Sequence, residues 1–370
     1  MSYQSGKMGI AECLGMVFVM NFAHVFLTGP SKLMMEHASA AWLASILIGL
    51  IAVSVLVIIN WLFQIQNGDL LQIAEACLGV PGKWLIGMYY SGIFLINAIL
   101  LIRQFAENTL LTGQTSGEFN MGLLLYSLTI GIILYIVLEP ICRAAYVIMP
   151  FGLAGLSFVL VAVAPYYDTN ALFPLQGRGL DKLITQSVLR GGLYMPCLAP
   201  ALMVATFHDR KEWLTGSLLG LSISVIMKAL TMVVFTLVFG TAVGQERILA
   251  FYELARMVYL GRFVQRVEAL FIVFWIIIGL MAIALHIYVA VYLLGRLLDL
   301  PSLRPLFPIA IILAASLSAM PEDLSITMEL EELAIRTLFN VGLYGIPLLL
   351  LALSVWKGKR KAGDAACSGQ

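Results

Sequence analysis

The sequence predicts an all-α membrane protein of about ten transmembrane helices arranged as two five-helix halves. Three observations predict it. First, 61% of the 370 residues are apolar and only 12% are charged, about half the roughly 25% charged fraction of a soluble domain. A soluble fold of this length could not bury so much apolar surface. Second, charge-free intervals recur at about 20 residues, the length that crosses a hydrocarbon core. Third, Gly and Pro interrupt the first and the sixth interval, which are the opening helices of the two halves.

Span 1 covers about Met8–Thr28, with Glu12 near its start. Its opening resembles a signal peptide, with Lys7 before an apolar run and Ala38-Ser39-Ala40 further on. The polar stretch Ser31–His37 separates that run from the candidate cleavage site, so an uncleaved first span is expected. Span 2 covers about Ala40–Phe63. Span 3 lies between Lys83 and Arg103, span 4 between Glu118 and Glu139, span 5 between Arg143 and Asp168. Span 6 lies between Arg190 and His208. It is short and holds Gly191, Gly192, Pro196 and Pro200. Spans 7 to 10 are about Leu214–Gly240, Val267–Leu294, Pro305–Met320 and Thr337–Trp356. The chain thus reads as one transmembrane domain, residues 1–356, with halves at about 8–167 and 190–356. A polar, basic tail, 357–370, follows and is expected to be disordered.

Ten spans place both ends on one side. The short basic pieces Arg210-Lys211 and Lys357–Lys361 assign that side to the cytoplasm by the positive-inside rule. The loop Pro321–Arg336, with five acidic residues, then falls outside. Two loops read as helices lying on the membrane. One carries Phe251, Leu254, Ala255, Val258 and Tyr259 on a single helical face; the other is Asp69–Leu78.

Span 1 carries Asn21, Ala23, His24 and Thr28 before Gly29-Pro30, and span 6 carries Tyr194, Met195 and Cys197 among its prolines. Broken helices at matching positions of two halves mark the binding site of inverted-repeat transporters. An unwound segment frees N–H and C=O groups where water is absent. A zwitterion such as an amino acid satisfies them, its carboxylate at a half-helix N-terminus and its amine at free carbonyls. The competing reading is that Gly and Pro are simply frequent in membrane helices. The expected pocket joins these residues to Tyr90 of span 3 and Trp275 of span 8. Lys228, in the middle of span 7, is an intramembrane cation that either replaces a coupling ion or pairs with a structural partner. His286 reads as structural, and Tyr89 and Asn97 as packing or inter-helix hydrogen-bonding groups.

No Walker A motif, GxSxG elbow, HExxH or paired-carboxylate constellation appears, so no enzyme class is indicated. Five scattered cysteines and four histidines show no ligand spacing, and no cofactor or metal is expected. A net charge of +1 offers no basic field for nucleic acid.

The loops carry a family resemblance that spans nearly the whole chain. Asn170-Ala171-Leu172-Phe173-Pro174-Leu175-Gln176-Gly177-Arg178-Gly179 resembles the loop between the fifth and sixth spans of the spore germination permease family, the B subunits of nutrient germinant receptors. Tyr252-Glu253-Leu254-Ala255-Arg256, Gly261-Arg262-Phe263 and Arg266-Val267-Glu268-Ala269-Leu270-Phe271, then Trp275, are similar to its segment leading into span 8. Asp69-Leu70-Leu71-Gln72-Ile73, Leu78-Gly79 and Gly82-Lys83 are similar to its loop between spans 2 and 3, and Phe26-Leu27 with Pro30-Ser31 match the end of its first span. The resemblance implies the amino acid–polyamine–organocation superfamily and the leucine-transporter-like fold, a 5+5 inverted repeat with broken helices 1 and 6. It implies a subunit of the inner spore membrane that binds a small nutrient, usually an amino acid. Its partners would be an A subunit with membrane and soluble domains and a C-subunit lipoprotein. The alternative is a proton- or cation-coupled amino acid transporter of the same fold. The sequence departs from the family at the pocket. Ala23-His24 stands where a Gly-Ser or Gly-Thr pair is common, and Tyr194-Met195-Pro196-Cys197 stands where Gly-Phe-Glu is common.

Overall fold

Residues 10–22 are apolar apart from Glu12 and Asn21, and a helix apolar on nearly every side either spans a membrane or is enclosed by other helices. In the computed structural model this segment is the centre of the bundle. The structure describes residues 7–27, 29–66, 68–112, 119–136, 138–259 and 267–368. Helix α1 (Ile10–Phe22) is buried from Cys13 to Phe22, and a 3-10 turn, Ala23–Phe26, separates it from α2 (Gly29–His37). Together they form span 1. Span 2 is α3 (Ala41–Ile65). Helix α4 (Leu70–Leu111) includes span 3, α5 (Phe119–Tyr135) is span 4 and α6 (Leu138–Ala162) is span 5.

The second half repeats this plan. Helix α7 (Leu180–Leu189) leads into a 3-10 run, Gly191–Leu198, and then the short α8 (Ala199–Leu202). Span 7 is α9 (Arg210–Gly244), and α10 (Ala250–Arg256) precedes α11 (Val267–Leu297), which is span 8. Span 9 is α12 (Leu306–Ser318). Span 10 is continuous from α13 (Leu324–Ala334) through two π-type turns, Ile335–Phe339 and Val341–Gly345, into α14 (Ile346–Ser368). Among the described residues, six helices are long and apolar enough to cross a membrane; the remaining spans are shorter or broken. Helix α1 packs on α9, α6 and α11, while α3 packs on α9 and α4 on α11. The chain before α1 is also tied to the end of span 6. The Met8 N–H donates to the Thr206 carbonyl at 2.9 Å, and the His208 N–H donates to the Met8 carbonyl at 3.2 Å.

Four expectations change in detail. Span 6 begins at α7, ahead of Arg190, so its interruption falls mid-span. The acidic stretch 321–336 is largely helical and opens span 10. The tail is helical as far as Ser368. The apolar face of α10 is turned inward: Phe251, Leu254, Ala255 and Val258 are buried, against α11, α9 and the span 1 turn, while Tyr259 is exposed. Residues 70–78 are helical as expected and are set off from span 3 by Gly79, whose φ of 76° is one that glycine adopts without strain.

Candidate functional site

The two interruptions arise from different local chemistry. In span 1, the Asn21 side chain donates to the Val17 carbonyl at 2.8 Å, and the chain then tightens into the 3-10 turn and extends at Leu27. Helix α2 restarts at Gly29-Pro30. Proline suits a first helical turn because its fixed φ matches and its missing N–H has no partner to lose. In span 6, the 3-10 run of eight residues is far longer than the usual three or four. It is held by span 10. The Gly192 N–H donates to Asn340 Oδ1 at 2.6 Å, and Asn340 Nδ2 donates to the Leu189 carbonyl at 2.6 Å. One amide side chain thus satisfies a donor and an acceptor that the broken helix releases. A Cβ at Gly192 would lie 2.3 Å from the Ile335 carbonyl oxygen, so glycine is what lets the two backbones approach.

Where the interruptions meet span 7, a cavity of about 30 Å³ is lined by His24, Val25, Gly29, Pro30, Ser45, Ile48, Tyr194, Lys228 and neighbouring apolar groups. That is room for one or two water-sized groups. The cavity brings together three of the expected site residues, His24, Tyr194 and Lys228. Lys228 Nζ lies 4.3 Å from the centre of the Tyr194 ring. Asn21, Ala23, Met195 and Cys197 are fully buried in or beside the same interruptions, outside this lining. The Tyr90 hydroxyl donates to the Gly342 carbonyl at 2.8 Å, which ties span 3 to span 10. Trp275 packs on Phe105 with ring centres 5.6 Å apart. Thr28 lies outside the described residues, as do Gly261, Arg262, Phe263 and Arg266.

A buried carboxylate missed by sequence reasoning is Glu331. Its carboxylate is buried on α13, with Oε1 3.4 Å from His24 Nδ1. A signal for it exists. Leu324, Thr327, Glu331 and Ala334 recur at helical spacing and form the buried stripe of α13. Beside this pair lies an ion network between α2, span 6 and span 10. Glu36 meets Arg190 at 3.2 Å and Arg336 at 2.5 Å; Glu332 meets Arg336 at 2.5 Å and also contacts Arg190. His286 is fully buried and faces the Asn97 amide, with Nε2 and Nδ2 3.1 Å apart. Among the described residues, no group of three or more His, Cys, Asp or Glu side chains is placed to hold a metal ion.

Comparison with known proteins decides the family. The family model described as "Spore germination protein" matches residues 7–325. The chain belongs to the spore germination permease family. Within that family, spore germination protein KB of Bacillus subtilis (strain 168) is 22% identical over 97% of both chains. The fold is that of a Na+-coupled sialic acid symporter solved in a substrate-bound, outward-open state. The TM-score is 0.66 at 14% identity, over 92% of this chain and 80% of that one. This spore germination permease is therefore an integral, multi-pass membrane protein with a leucine-transporter-like 5+5 inverted repeat, interrupted in spans 1 and 6.

Proposed function

We propose that this permease is the B subunit of a nutrient germinant receptor. It binds a small nutrient, an amino acid being the favoured class, where the interruptions of spans 1 and 6 meet, and it signals to an A subunit and a C-subunit lipoprotein. The observation that carries the reading is the end-to-end similarity to spore germination protein KB, at 97% coverage of both chains. The geometry adds support. Ala23, His24, Tyr194, Met195 and Cys197 cluster at or beside two unwound segments whose backbone groups suit a zwitterion. A cavity of about 30 Å³ is smaller than any amino acid. Binding at this point therefore requires the bundle to open, which couples occupancy to conformation. The membrane would be the inner membrane of an endospore, with both termini in the cytoplasm.

A second reading, proton- or cation-coupled amino acid transport, draws on the ionisable groups Lys228, His24 and Glu331 inside the bundle, a pattern shared by proton relays. Deletion of the gene in its spore-forming host tests the first. Loss of germination toward one nutrient, restored by the intact gene, supports the receptor. Unchanged germination toward every nutrient overturns it.

A further inference from the structure

The outer part of span 10 has two faces. One engages spans 1 and 6, through Glu331 to His24, Glu332 to Arg190 and Asn340 to Gly192. The other is a wall of a groove of about 700 Å³ between spans 3, 9 and 10. Ile96 and Leu100 of span 3, Met320 beyond α12, and Ile326, Leu330 and Leu333 of α13 line it. Met320 is 73% exposed and Leu333 61%. The Thr337 hydroxyl in the groove already donates to the Leu333 carbonyl at 2.5 Å, so the lining asks for apolar contact.

The groove opens at the membrane boundary on the side opposite the two termini. Arg103, which closes the charge-free interval of span 3, donates to the Glu322 carbonyl at 3.3 Å. Glu322 therefore stands where hydrocarbon gives way to headgroups. The mouth there is acidic. Glu322, Asp323 and Glu329 are exposed, next in sequence to the lining residues Pro321 and Leu330, and among the described residues none of the three has an ion-pair partner. That charge selects the occupant. A lipid tail matches the groove in polarity, but a phospholipid carries a phosphate just above its tails, at the level of these carboxylates, which repel it. A protein helix brings an apolar ridge without a phosphate, and Lys or Arg in its outer turn meets the acidic mouth. We propose that this groove seats a transmembrane helix of a partner chain, basic at the end that emerges beside Glu322 and Glu329. The inference rests on the receptor reading for the existence of a membrane-embedded partner.

The seat is also placed to carry a signal. At its inner end Leu338 lies in the first π-type turn, and its carbonyl accepts from the Tyr89 hydroxyl at 2.7 Å. Such turns recur at functional positions of helices. Any shift of span 10 driven from the interruptions moves the wall on which the partner helix rests.

The test places a benzophenone photo-crosslinking side chain at Leu330 of the full chain, expressed in its spore-forming host and irradiated in isolated membranes. Ile132 of α5, 71% exposed, is the control position. The expected result is a discrete adduct from Leu330, absent from Ile132, whose peptide maps to an apolar helix of another chain with Lys or Arg at its end. Glu329→Lys should cut the yield about tenfold, because like charges across an interface repel, and changing the partner's basic residue to Glu should restore it. Glu322→Lys is a second reversal at the same mouth. Both residues are exposed, so neither change should move the unfolding midpoint. An adduct with lipid, an adduct with a second copy of this chain, no adduct, or a yield that both reversals leave unchanged overturns the surface. This test and the gene deletion fail separately. Germination lost on deletion with Leu330 labelling lipid alone keeps the receptor and removes the surface. A charge-sensitive partner adduct with unchanged germination keeps the helix contact and removes the receptor.

Discussion

Glu331 lies in the buried stripe of a helix, so its charge has to be met by other groups inside the bundle, and His24 lies 3.4 Å from it. Removing one member of a buried pair costs about 3–5 kcal/mol, whereas a solvent-reaching pair is worth about 0–1 kcal/mol. Glu331→Leu should therefore lower the unfolding midpoint of the purified chain far more than Glu75→Gln, which breaks a half-exposed pair with Lys83, although both delete one carboxylate. Equal losses would show that Glu331 is hydrated. The Tyr90 hydroxyl is engaged with the Gly342 carbonyl. Tyr90→Phe should thus cost about 0.5–1.5 kcal/mol of stability and leave the nutrient concentration for half-maximal germination unchanged. A shift of that concentration at normal protein abundance would put Tyr90 in contact with the ligand. Lys228, His24 and Tyr194 were legible in the sequence because each is a polar or ionisable group inside an apolar run. Glu331 was not, because it stands in a run of acidic residues that reads as a solvated loop until its helical spacing is noticed.

The same masking operates on whole elements. Charge-free intervals located spans 2, 5, 8 and 9, whose flanks are charged and whose interiors are apolar, and span 7 reads the same way apart from Lys228. They missed α7, which contains Asp181 and Lys182, and α13, which contains Glu329, Glu331 and Glu332. Each helix also turns some polar groups to the protein, through Gln186 to Arg336 and through the ion network to α2 and Arg190, while Asp181, Lys182 and Glu329 are exposed, and a composition rule cannot tell such a half-packed helix from a solvated loop. The Gly and Pro signals did locate both interruptions, since they act on backbone geometry locally. What they could not show is that span 10 supplies the missing backbone partners. Asn340→Leu tests that link. It leaves the buried Gly192 N–H unpaired, at a cost of about 1–3 kcal/mol. Hydrogen exchange should then quicken over residues 190–198 while α9 keeps its protection. Uniform loss of protection would indicate global destabilisation, and no change would mean that the span 6 turn is held from elsewhere.

At the scale of the molecule, a sensor and a transporter demand different things from one bundle. A sensor needs its ligand to bind two states unequally. A tenfold difference, about 1.4 kcal/mol, changes their population ratio tenfold at saturation. A transporter needs both states to bind the ligand and to release it on opposite faces. The fold shared with a Na+-coupled symporter permits either, so the distinction has to come from behaviour. A cavity of about 30 Å³ at the meeting of two interrupted spans has room for one or two water-sized groups, so a larger ligand has to displace its lining. In a sensor that displacement is the output, passed to partner chains, and a full transport cycle is unnecessary. The chain alone, reconstituted into vesicles and offered labelled amino acids with and without a proton or sodium gradient, is expected to show binding without concentrative uptake. The same vesicles carrying a known amino acid symporter supply the positive control. Gradient-driven accumulation by this chain alone, abolished by Lys228→Met, would replace the sensor reading with coupled transport.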